Sequence, residues 1–357
     1  MLIYQTMSKK VFVGMSGGVD SSVAAALLKD QGYDVTGVYM KNWTKDLPGL
    51  ICPWKQDYQD AKRVAVQLGI PFKVYDFQKD YRQKVVDYMT SEYKKGRTPN
   101  PDIMCNQEIK FKLFLDTALK DGADLIATGH YARAKNGRLF VAKNKDKDQT
   151  YFLYRVGSKA LAKTLMPIGE FNSKAEVRKL ANKYQLVTAN KKDSQGICFV
   201  GKVGIKDFLL YELGAQPRGP IIDQNNKVIG EHDGAIFYTI GQRHGLDIGG
   251  GLPYYVTGKD IKKNEIYVTT DLQDDALWKN EVSLTDIFWI SGLAPAKTSK
   301  LQIRLRYRLP LVAIDQLIKN ASGNWQIKLA EQVRAITPGQ SAVIYTGDQV
   351  LGGGVVV

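Results

Sequence analysis

The N-terminal third of the chain alternates between two hydrophobic periods, one typical of β-strands and one typical of helices. Short apolar runs rich in β-branched and aromatic residues predict strands at 11–13, 34–40, 72–77 and 123–128. Apolar residues at helical spacing predict intervening helices, among them 57–69, 80–95 and 110–120. Strands that alternate with helices predict a parallel sheet covered on both faces. Ligands of such sheets bind beyond the carboxyl ends of the strands, which would bring Ser16, Met40 and Gly129 together.

The pattern changes along the rest of the chain, which predicts two further domains. Residues 138–156 alternate as strands do, with a charged turn at 143–148, and the capping-box pair Ser173 and Glu176 predicts a helix that ends near Tyr184. From about residue 216 short alternating runs predict strands at 235–240, 254–258, 265–270, 301–309 and 324–330. We therefore predict an α/β catalytic domain with a Rossmann-like parallel sheet over 1–212, a small mostly-β middle domain over 213–280 and a C-terminal β-barrel over 281–357.

The turn between the first predicted strand and the first predicted helix has the composition of a phosphate-binding loop. It reads G-M-S-G-G-V-D-S-S from Gly14, and the Ala- and Leu-rich helix follows it. A strand, a Gly-rich turn and a helix N-terminus together present backbone N–H groups to phosphate. The loop lacks the Lys of the Walker pattern and the glycine spacing of the dinucleotide fingerprint. It resembles the pyrophosphate loop (PP-loop) of enzymes that split ATP between its α and β phosphates, although an ordinary strand-to-helix turn is the other interpretation.

Composition and charge indicate a polyanionic partner and a reducing compartment. The net charge of +14 and the pI of about 9.4 favour a partner such as nucleic acid, although a merely soluble basic protein would share them. No apolar run approaches the ~20 residues of a membrane span. Three cysteines cannot build a disulfide framework, which favours the cytoplasm, and the absence of a C-x-x-C pair argues against structural zinc.

Two of the cysteines lie in segments with chemical context. Two prolines within three residues predict a shaped loop around Asn100 and Asp102 that feeds a helix starting near Asn106 or Gln107. Cys105 would then lie at a helix N-terminus, which favours its thiolate, although a buried small hydrophobe is the alternative. Cys198 follows a polar turn between apolar residues, and a strand cysteine and a functional cysteine fit that setting equally. For Cys52 we predict a structural or incidental role.

Six segments in order make the chain resemble the tRNA-specific 2-thiouridylases, from about residue 10 to the C-terminus. They are G-M-S-G-G-V-D-S-S at Gly14, T-P-N-P-D-I-M-C-N-Q-E-I-K-F at Thr98, A-T-G-H-Y-A-R at Ala127, K-D-Q-T-Y-F-L at Lys147, D-S-Q-G-I-C-F at Asp193 and G-Q-R-H-G-L-D-I-G-G at Gly241. One segment departs from the family, because 44–58 lacks the acidic run typical of that loop.

The resemblance implies an ATP-dependent reaction on the wobble uridine of tRNA. The C2 carbonyl oxygen is adenylated with loss of pyrophosphate, and sulfur then replaces it with release of AMP. ATP and Mg²⁺ are the implied cofactors. The implied ATP-binding residues are Gly14, Met15, Ser16, Gly17, Gly18, Val19, Asp20 and Ser21, with Met40 and Gly129 beside the adenine.

The resemblance also implies roles for both cysteines and for one carboxylate. Cys198 would accept sulfur as a persulfide from an upstream carrier protein. Cys105 would be the nucleophile, either attacking the activated base or freeing sulfide by forming a disulfide with Cys198. Asp102 would act as general acid or base.

The resemblance implies tRNA contacts in several separate segments of the chain. Asn100, Pro101 and Asp102 would contact the target base, which must turn out of the anticodon stack. The others are His130, Lys147, Asp148, Gln149, Arg306, Tyr307 and Gln340. Arg304, Arg306 and Arg308 alternate on a predicted strand and would share one face for phosphate contact, with a solvated charged face as the alternative. For His232 and His244 we predict surface or loop positions without a catalytic role.

Other functions share part of this pattern. A PP-loop enzyme that amidates or ligates a small molecule needs neither the cysteine pair nor a basic barrel, and a tRNA lysidine synthetase would share the tRNA without the cysteines. A non-catalytic tRNA-binding protein is the alternative from another class, and the intact loop together with both cysteines disfavours it.

Overall fold

The computed structural model describes residues 8–46, 52–192, 204–249, 251–296, 300–321 and 323–357. Cys198, one of the two predicted catalytic cysteines, lies outside these ranges. Within them, no helix has both the length and the apolar character needed to cross a membrane.

The N-terminal part contains a five-stranded parallel sheet, as the alternating pattern predicts. Its strands and those of an adjoining hairpin are, in chain order, β1 (Lys10–Gly14), β2 (Asp34–Lys41), β3 (Phe72–Asp76), β4 (Leu125–Ala127), β5 (Ala132–Lys135), β6 (Arg138–Val141) and β7 (Thr164–Leu165). The parallel sheet has the order β3-β2-β1-β4-β7. The central strand β1 is apolar and buried at Val11, Phe12 and Val13, which explains why the phosphate-loop candidate begins at the middle of the sheet.

Helices cover this sheet and carry the candidate functional segments. They are α1 (Val19–Asp30), α2 (Trp54–Gln67), α3 (Gln78–Tyr81), α4 (Asp87–Lys94), α5 (Pro101–Met104), α6 (Phe114–Lys120), α7 (Ser158–Ala162) and α8 (Lys174–Lys183). Wider π-type turns at Arg82–Val86 and Cys105–Leu113 join α3 to α4 and α5 to α6. The predicted N-cap of α8 is present, because the Ser173 hydroxyl accepts a hydrogen bond from the backbone N–H of Glu176.

The middle part is small and mostly β, as predicted. Its elements are α9 (Ile205–Leu213), β8 (Gly219–Ile222), β9 (Val228–His232), β10 (Tyr255–Asp260) and β11 (Glu265–Thr269), with the sheet order β10-β11-β8-β9.

Two predictions in the middle part were wrong. The predicted strand at 235–240 is instead a short 3-10 turn at Ala235–Phe237, whose three consecutive residues are all buried, so no strand-like alternation exists there. His232 is not at the surface but 1% exposed. Its ring accepts a hydrogen bond from the Gly234 N–H, and its other nitrogen lies 3.1 Å from the carbonyl oxygen of Asn264.

The C-terminal part is a closed barrel of six antiparallel strands, which confirms the predicted fold class. The strands are β12 (Trp278–Trp289), β13 (Gln302–Arg304), β14 (Val312–Lys319), β15 (Trp325–Arg334), β16 (Ser341–Thr346) and β17 (Gln349–Val356). They follow the order β12-β15-β14-β13-β16-β17, and the pairing of β17 with β12 closes the ring.

The hairpin β5–β6 extends this barrel sheet although it belongs to the N-terminal part of the chain. Strand β6 pairs with β17 through Leu139 opposite Val350 and Phe140 opposite Gln349. The predicted strand-like segment 138–156 therefore ends at Val141, and short 3-10 turns at Lys145–Lys147 and Thr150–Phe152 follow it. The barrel and the N-terminal part of the chain are thus joined by backbone hydrogen bonds.

The predicted strand at 301–309 is also shorter than expected. Strand β13 ends at Arg304, and the chain then turns, with a hydrogen bond from the Leu309 N–H to the Arg306 carbonyl and a left-handed φ of +66° at Arg308. The prediction that Arg304, Arg306 and Arg308 share one face of a strand was therefore wrong.

All three parts meet at the residues just before Asn100. The Thr98 N–H donates to the Pro338 carbonyl at 3.0 Å, and the Thr98 hydroxyl lies 3.1 Å from that of Thr239 in the middle part. Gly339 has φ +88°, and a Cβ added there would lie 2.7 Å from the Thr98 nitrogen. Only a residue without a side chain allows this approach of the barrel to the N-terminal part.

We expect Gly339→Ala to lower the free energy of unfolding more than Gly323→Ala does. Gly323 is the matched control, because it has φ +84° in the same barrel but no described atom within 4 Å of an added Cβ. Both variants incur the left-handed backbone cost of about 1–2 kcal/mol. Gly339→Ala adds a steric cost of about 1–3 kcal/mol. Urea unfolding would measure both, and equal losses would contradict a tight joint at Thr98.

Candidate active site

The loop between β1 and α1 is shaped by glycines and short hydroxyl side chains. Gly17 has φ +75°, and a Cβ on it would lie 2.3 Å from the carbonyl oxygen of Asp57 in α2. The Ser21 hydroxyl accepts from the Ser16 N–H at 3.2 Å and donates to the Gly18 carbonyl at 3.1 Å. Gly18 is the N-cap of α1, and none of the described side chains caps that helix. The first-turn N–H groups of α1 are therefore the donors that an anion at this loop would meet.

Met40 and Gly129 border this loop, in the positions that the carboxyl-end rule predicts. The Met40 methyl carbon lies 3.0 Å from where a Cβ on Gly14 would be. A Cβ on Gly129 would lie 2.6 Å from the Ser21 nitrogen, so only glycine fits between β4 and the start of α1. The structure thus brings the predicted ATP-binding residues together around one turn of backbone.

Two lysines form ion pairs beside the loop, and the sequence analysis identified neither lysine. The Lys174 ammonium lies 2.7 and 2.8 Å from the two carboxylate oxygens of Asp20, which also accepts from the Tyr131 hydroxyl at 3.0 Å. Lys191 lies 2.7 Å from both Asp57 and Asp60. Lys174 had one usable signal, since it is the first residue of α8, where the helix dipole disfavours a cation.

The segment that carries Cys105 is helical earlier than predicted. Pro101 opens α5 at the N1 position, and the Asn100 side chain caps it by accepting from the Asp102 N–H at 3.1 Å. The prediction of a shaped loop that leads to a helix start near Asn106 or Gln107 was wrong, because a proline at N1 gives up only an N–H that has no helical partner. Cys105 therefore lies inside a continuous helix and is 2% exposed.

Burial disfavours the charged forms of two predicted site residues, one in this helix and one beside it. It raises the pKa of the Asp102 carboxyl, and the charge of Lys110 opposes that shift. Burial lowers the pKa of His130 well below its usual value, and Lys110 adds to the shift. The His130 Nδ1 lies 2.8 Å from the Thr128 hydroxyl, and its ring packs 5.5 Å from that of Phe111. Lys110 is thus the positive charge that both groups sense.

The helix of Cys105 is tied to the barrel through the segment 148–155. The Asn106 amide donates to the Phe152 carbonyl at 3.0 Å, and the Phe152 ring packs 4.4 Å from that of Tyr307. The neighbouring Tyr151 hydroxyl donates to the Ser341 carbonyl at 2.8 Å. Phe152 therefore connects Tyr307, a predicted tRNA contact, to the helix of Cys105.

Two more predicted tRNA contacts, Gln340 and Gln149, form hydrogen bonds to the backbone of neighbouring segments. The Gln340 amide donates to the Thr98 carbonyl at 2.8 Å, two residues before Asn100. The Gln149 side-chain oxygen accepts from the Tyr131 N–H at 2.9 Å, and Lys147 is half-buried in the preceding turn. A Cβ on Gly241, in the middle part, would lie 3.9 Å from the guanidinium of Arg306.

The structure contradicts a direct tRNA contact by the carboxylate of Asp148. That side chain is buried, accepts from the Ala142 N–H at 3.1 Å and the Thr150 hydroxyl at 2.7 Å, and pairs with Arg304 at 3.3 Å. Burial raises the pKa of Asp148, and these partners oppose the shift. Asp148 therefore shapes the turn that presents Lys147 and Gln149, and Arg304 faces inward with it.

Comparison with known proteins matches the chain over nearly its whole length. Three family profiles match in order: the tRNA methyl transferase HUP domain over 9–202, the tRNA methyl transferase PRC-barrel domain over 206–270 and the aminomethyltransferase beta-barrel domain over 279–356. The chain is 47% identical over 352 residues to the tRNA-specific 2-thiouridylase MnmA of Geobacillus thermodenitrificans, covering 97% of this chain and 94% of that protein. It is 46% identical over 353 residues to the protein of that name from Bacillus subtilis, with the same coverage of both chains.

We expect His130→Gln to reduce the loss of stability on acidification. Below pH ~6.5 an unfolded histidine takes up a proton that the folded His130, with its lowered pKa, does not, so folded stability falls as the pH drops. One such group contributes a slope of at most about 1.4 kcal/mol per pH unit. Urea unfolding between pH 7.5 and 5 would measure it, with His244→Gln on an exposed turn as the control. An unchanged slope in His130→Gln would contradict a buried neutral imidazole.

Proposed function

The chain belongs to the tRNA-specific 2-thiouridylase family, and we propose that it uses ATP to replace the C2 oxygen of the wobble uridine in tRNA by sulfur. The structural observation that carries the proposal is the junction at 128–131. There Gly129 packs on Ser21 of the phosphate loop, and His130 packs on Phe111 in the helix of Cys105. The proposed site for activating the uridine oxygen and the proposed site for sulfur chemistry would thus both border residues 128–131.

The residues of the loop fit a nucleotide triphosphate. The uncapped start of α1 and the left-handed Gly17 present backbone N–H groups to phosphate. Met40 would offer the adenine an apolar surface, with Gly129 beside it. ATP would supply the adenylate that turns the uridine oxygen into a leaving group. Mg²⁺ would come with the triphosphate and offset part of its charge.

Cys105, Cys198 and Asp102 would carry the sulfur transfer. A persulfide-bearing protein donates sulfur to Cys198, so the sulfur arrives in its oxidised, sulfane form. In one route the Cys105 thiolate attacks the inner sulfur of the Cys198 persulfide, which forms the disulfide and releases hydrosulfide to attack C2. In the other, Cys105 adds to C2 and displaces AMP, and the outer sulfur of the Cys198 persulfide then displaces Cys105 from C2. The freed Cys105 thiolate attacks the Cys198 sulfur, which forms the disulfide and leaves the thiocarbonyl on the base. In either route AMP departs with the former C2 oxygen, and Asp102, whose pKa is raised by burial, can hold or return a proton.

The tRNA would lie across the N-terminal part and the barrel. Asn100, Pro101 and Asp102 would contact the target base, and they open the helix that contains Cys105. Lys147, Gln149, Arg306, Tyr307 and Gln340 are the proposed outer contacts, and the net charge of +14 attracts the anticodon stem-loop. Because the thiol chemistry needs a reducing compartment, we propose that the enzyme works in the cytoplasm.

We expect Cys105→Ser and Cys198→Ser each to abolish tRNA thiolation, while ATP–pyrophosphate exchange with bound tRNA persists. A hydroxyl cannot carry a persulfide or form a disulfide, but oxygen activation needs neither. Cys52→Ser is the matched control and should keep full thiolation. The measurement is nucleoside analysis of tRNA after incubation with ATP, Mg²⁺ and a sulfur source. Thiolation at the normal rate in either variant would overturn the two-cysteine mechanism.

We also expect the affinity for tRNA to fall steeply with salt and Arg306→Gln to reduce that dependence. Loss of one phosphate contact lowers the slope of log K against log salt by about 1. Arg63→Gln, which removes the same charge from an exposed side chain of α2, should leave the slope unchanged. Filter binding across a salt series measures both. Equal changes in the two variants would mean that diffuse charge, and not Arg306, binds the tRNA.

A further inference from the structure

We propose that Lys110 stabilises the thiolate of Cys105, so that this buried cysteine can attack during sulfur transfer. The inference rests on the proposed function, because it concerns the nucleophile of that reaction. A thiol must lose its proton to attack, and burial in apolar surroundings opposes that loss. Cys105 is 2% exposed and belongs to a hydrophobic core cluster with Ile109 and Phe111, so its thiolate needs a cation nearby.

The start of the helix does not supply that charge. The helix begins at Pro101, and Cys105 follows its first turn, Pro101–Met104. The favourable effect of a helix N-terminus on an anion falls off within the first turn. The N–H groups that have no helical partner also belong to that turn, and they lie before Cys105. A side chain must therefore provide the stabilisation.

The π-type turns bring Lys110 to the side of the helix that carries Cys105. At the end of the segment Cys105–Leu113, the N–H of Phe114 bonds to the carbonyl oxygen of Ile109, five residues earlier. In such turns residues five apart lie one above the other, whereas in a regular α-helix they would be about 140° apart. Cys105 and Lys110 are five residues apart, so the wider turns align them. Turns of this kind are frequent at functional sites.

Lys110 acts on groups on both sides of Cys105. Asp102 lies one helical turn before Cys105, and His130 follows β4 and packs against Phe111. Burial is the main cause of the shifted pKa of Asp102 and of His130, and the charge of Lys110 is the second cause. The half-buried Lys110 is therefore within electrostatic reach of Asp102, and Cys105 lies between the two along the helix. Poor solvation strengthens the effect of the lysine, because little water screens its charge.

Two other cations on or beside this helix are paired with carboxylates. Lys112 is 59% exposed, and its ammonium lies 2.9 Å from Glu108. Arg155 donates a hydrogen bond to a side chain of the helix, and its guanidinium lies 3.0 Å from Asp286. These pairings offset both charges, and exposure to solvent weakens the field of Lys112 further. Lys112 is therefore the matched control on the same helix.

The first test titrates Cys105 directly, without ATP or tRNA. The chain has three cysteines, so Cys52→Ser with Cys198→Ser leaves Cys105 alone, and NMR of its labelled β-carbon follows the ionisation of the thiol. In this background we expect Lys110→Gln to raise the pKa of Cys105, since loss of a neighbouring cation disfavours the thiolate. Lys110→Arg and Lys112→Gln should leave the pKa nearly unchanged. If Lys110→Gln also leaves it unchanged, the inference is overturned.

The second test measures single-turnover thiolation of tRNA by the full-length protein with all its cysteines. At neutral pH Lys110→Gln should be about tenfold slower, because less of Cys105 is ionised, and the difference should shrink as the pH rises. Lys110→Arg should restore most of the rate, and Lys112→Gln should keep it. Asp102 and His130 are the other titratable groups that sense Lys110, and the NMR titration distinguishes the thiol from both.

ATP–pyrophosphate exchange with bound tRNA shows whether Lys110 acts at another step. Exchange should persist unchanged in Lys110→Gln, because activation of the uridine oxygen does not need the Cys105 thiolate. A thiolation deficit that is equal at every pH, or that extends to the exchange reaction, would mean that Lys110 supports the fold or the activation step. Either result contradicts the inference.

Failure of the inference and failure of the proposed function give different results. If the unmodified protein thiolates tRNA and Cys105→Ser does not, but Lys110→Gln changes neither the titration nor the rate, only the role of Lys110 is wrong. If the unmodified protein thiolates no tRNA, the proposed function is wrong, and the use of Lys110 in sulfur transfer falls with it.

Discussion

The close approach of two backbones at Thr98 and Gly339 is the contact on which the geometry of the site depends. The Thr98 N–H and carbonyl are bonded to Pro338 and Gln340, and its hydroxyl meets Thr239. Two residues later Asn100 caps the helix that contains Cys105. Because the joint is made largely of backbone at a position where only glycine fits, the barrel and the middle part fix where that helix begins. Long, flexible side chains could not hold it so closely.

Two more connections make the catalytic part and the barrel a single frame. The hairpin β5–β6 continues the barrel sheet beyond β17, and the Asp148–Arg304 pair lies buried between the two parts. A buried ion pair contributes little net stability, but separating its partners leaves an uncompensated buried charge. The pair therefore favours one arrangement of the two parts over others. A tRNA bound to such a frame would meet the barrel and the active site at a fixed separation, which suits an enzyme that must recognise one base.

The sequence predicts the structure correctly where the local hydrophobic pattern and the sheet topology agree. Period and composition predict the parallel sheet and the barrel, and the carboxyl-end rule places Met40 and Gly129 beside the loop. It was insufficient where tertiary contacts decide. Pro101 reads as a helix breaker until its N1 position is known, and the turn after Arg304 depends on a left-handed Arg308. Lys174 is far from the loop in sequence, and only the packing of α8 on α1 brings it there.

The two halves of the site handle charge in opposite ways. In the proposed phosphate half, backbone N–H groups at the start of α1 would face a ligand that is already charged. In the proposed sulfur half, burial disfavours the charged forms of both Asp102 and His130, and Lys110 is the charge that both groups sense. A single cation in a poorly solvated region favours whatever negative charge develops beside it, because water screens it little. In the proposed reaction, thiolate attack and the departure of AMP would both develop such charge, so the burial that disfavours the ionisation of its neighbours would strengthen the effect of Lys110 on the reacting groups.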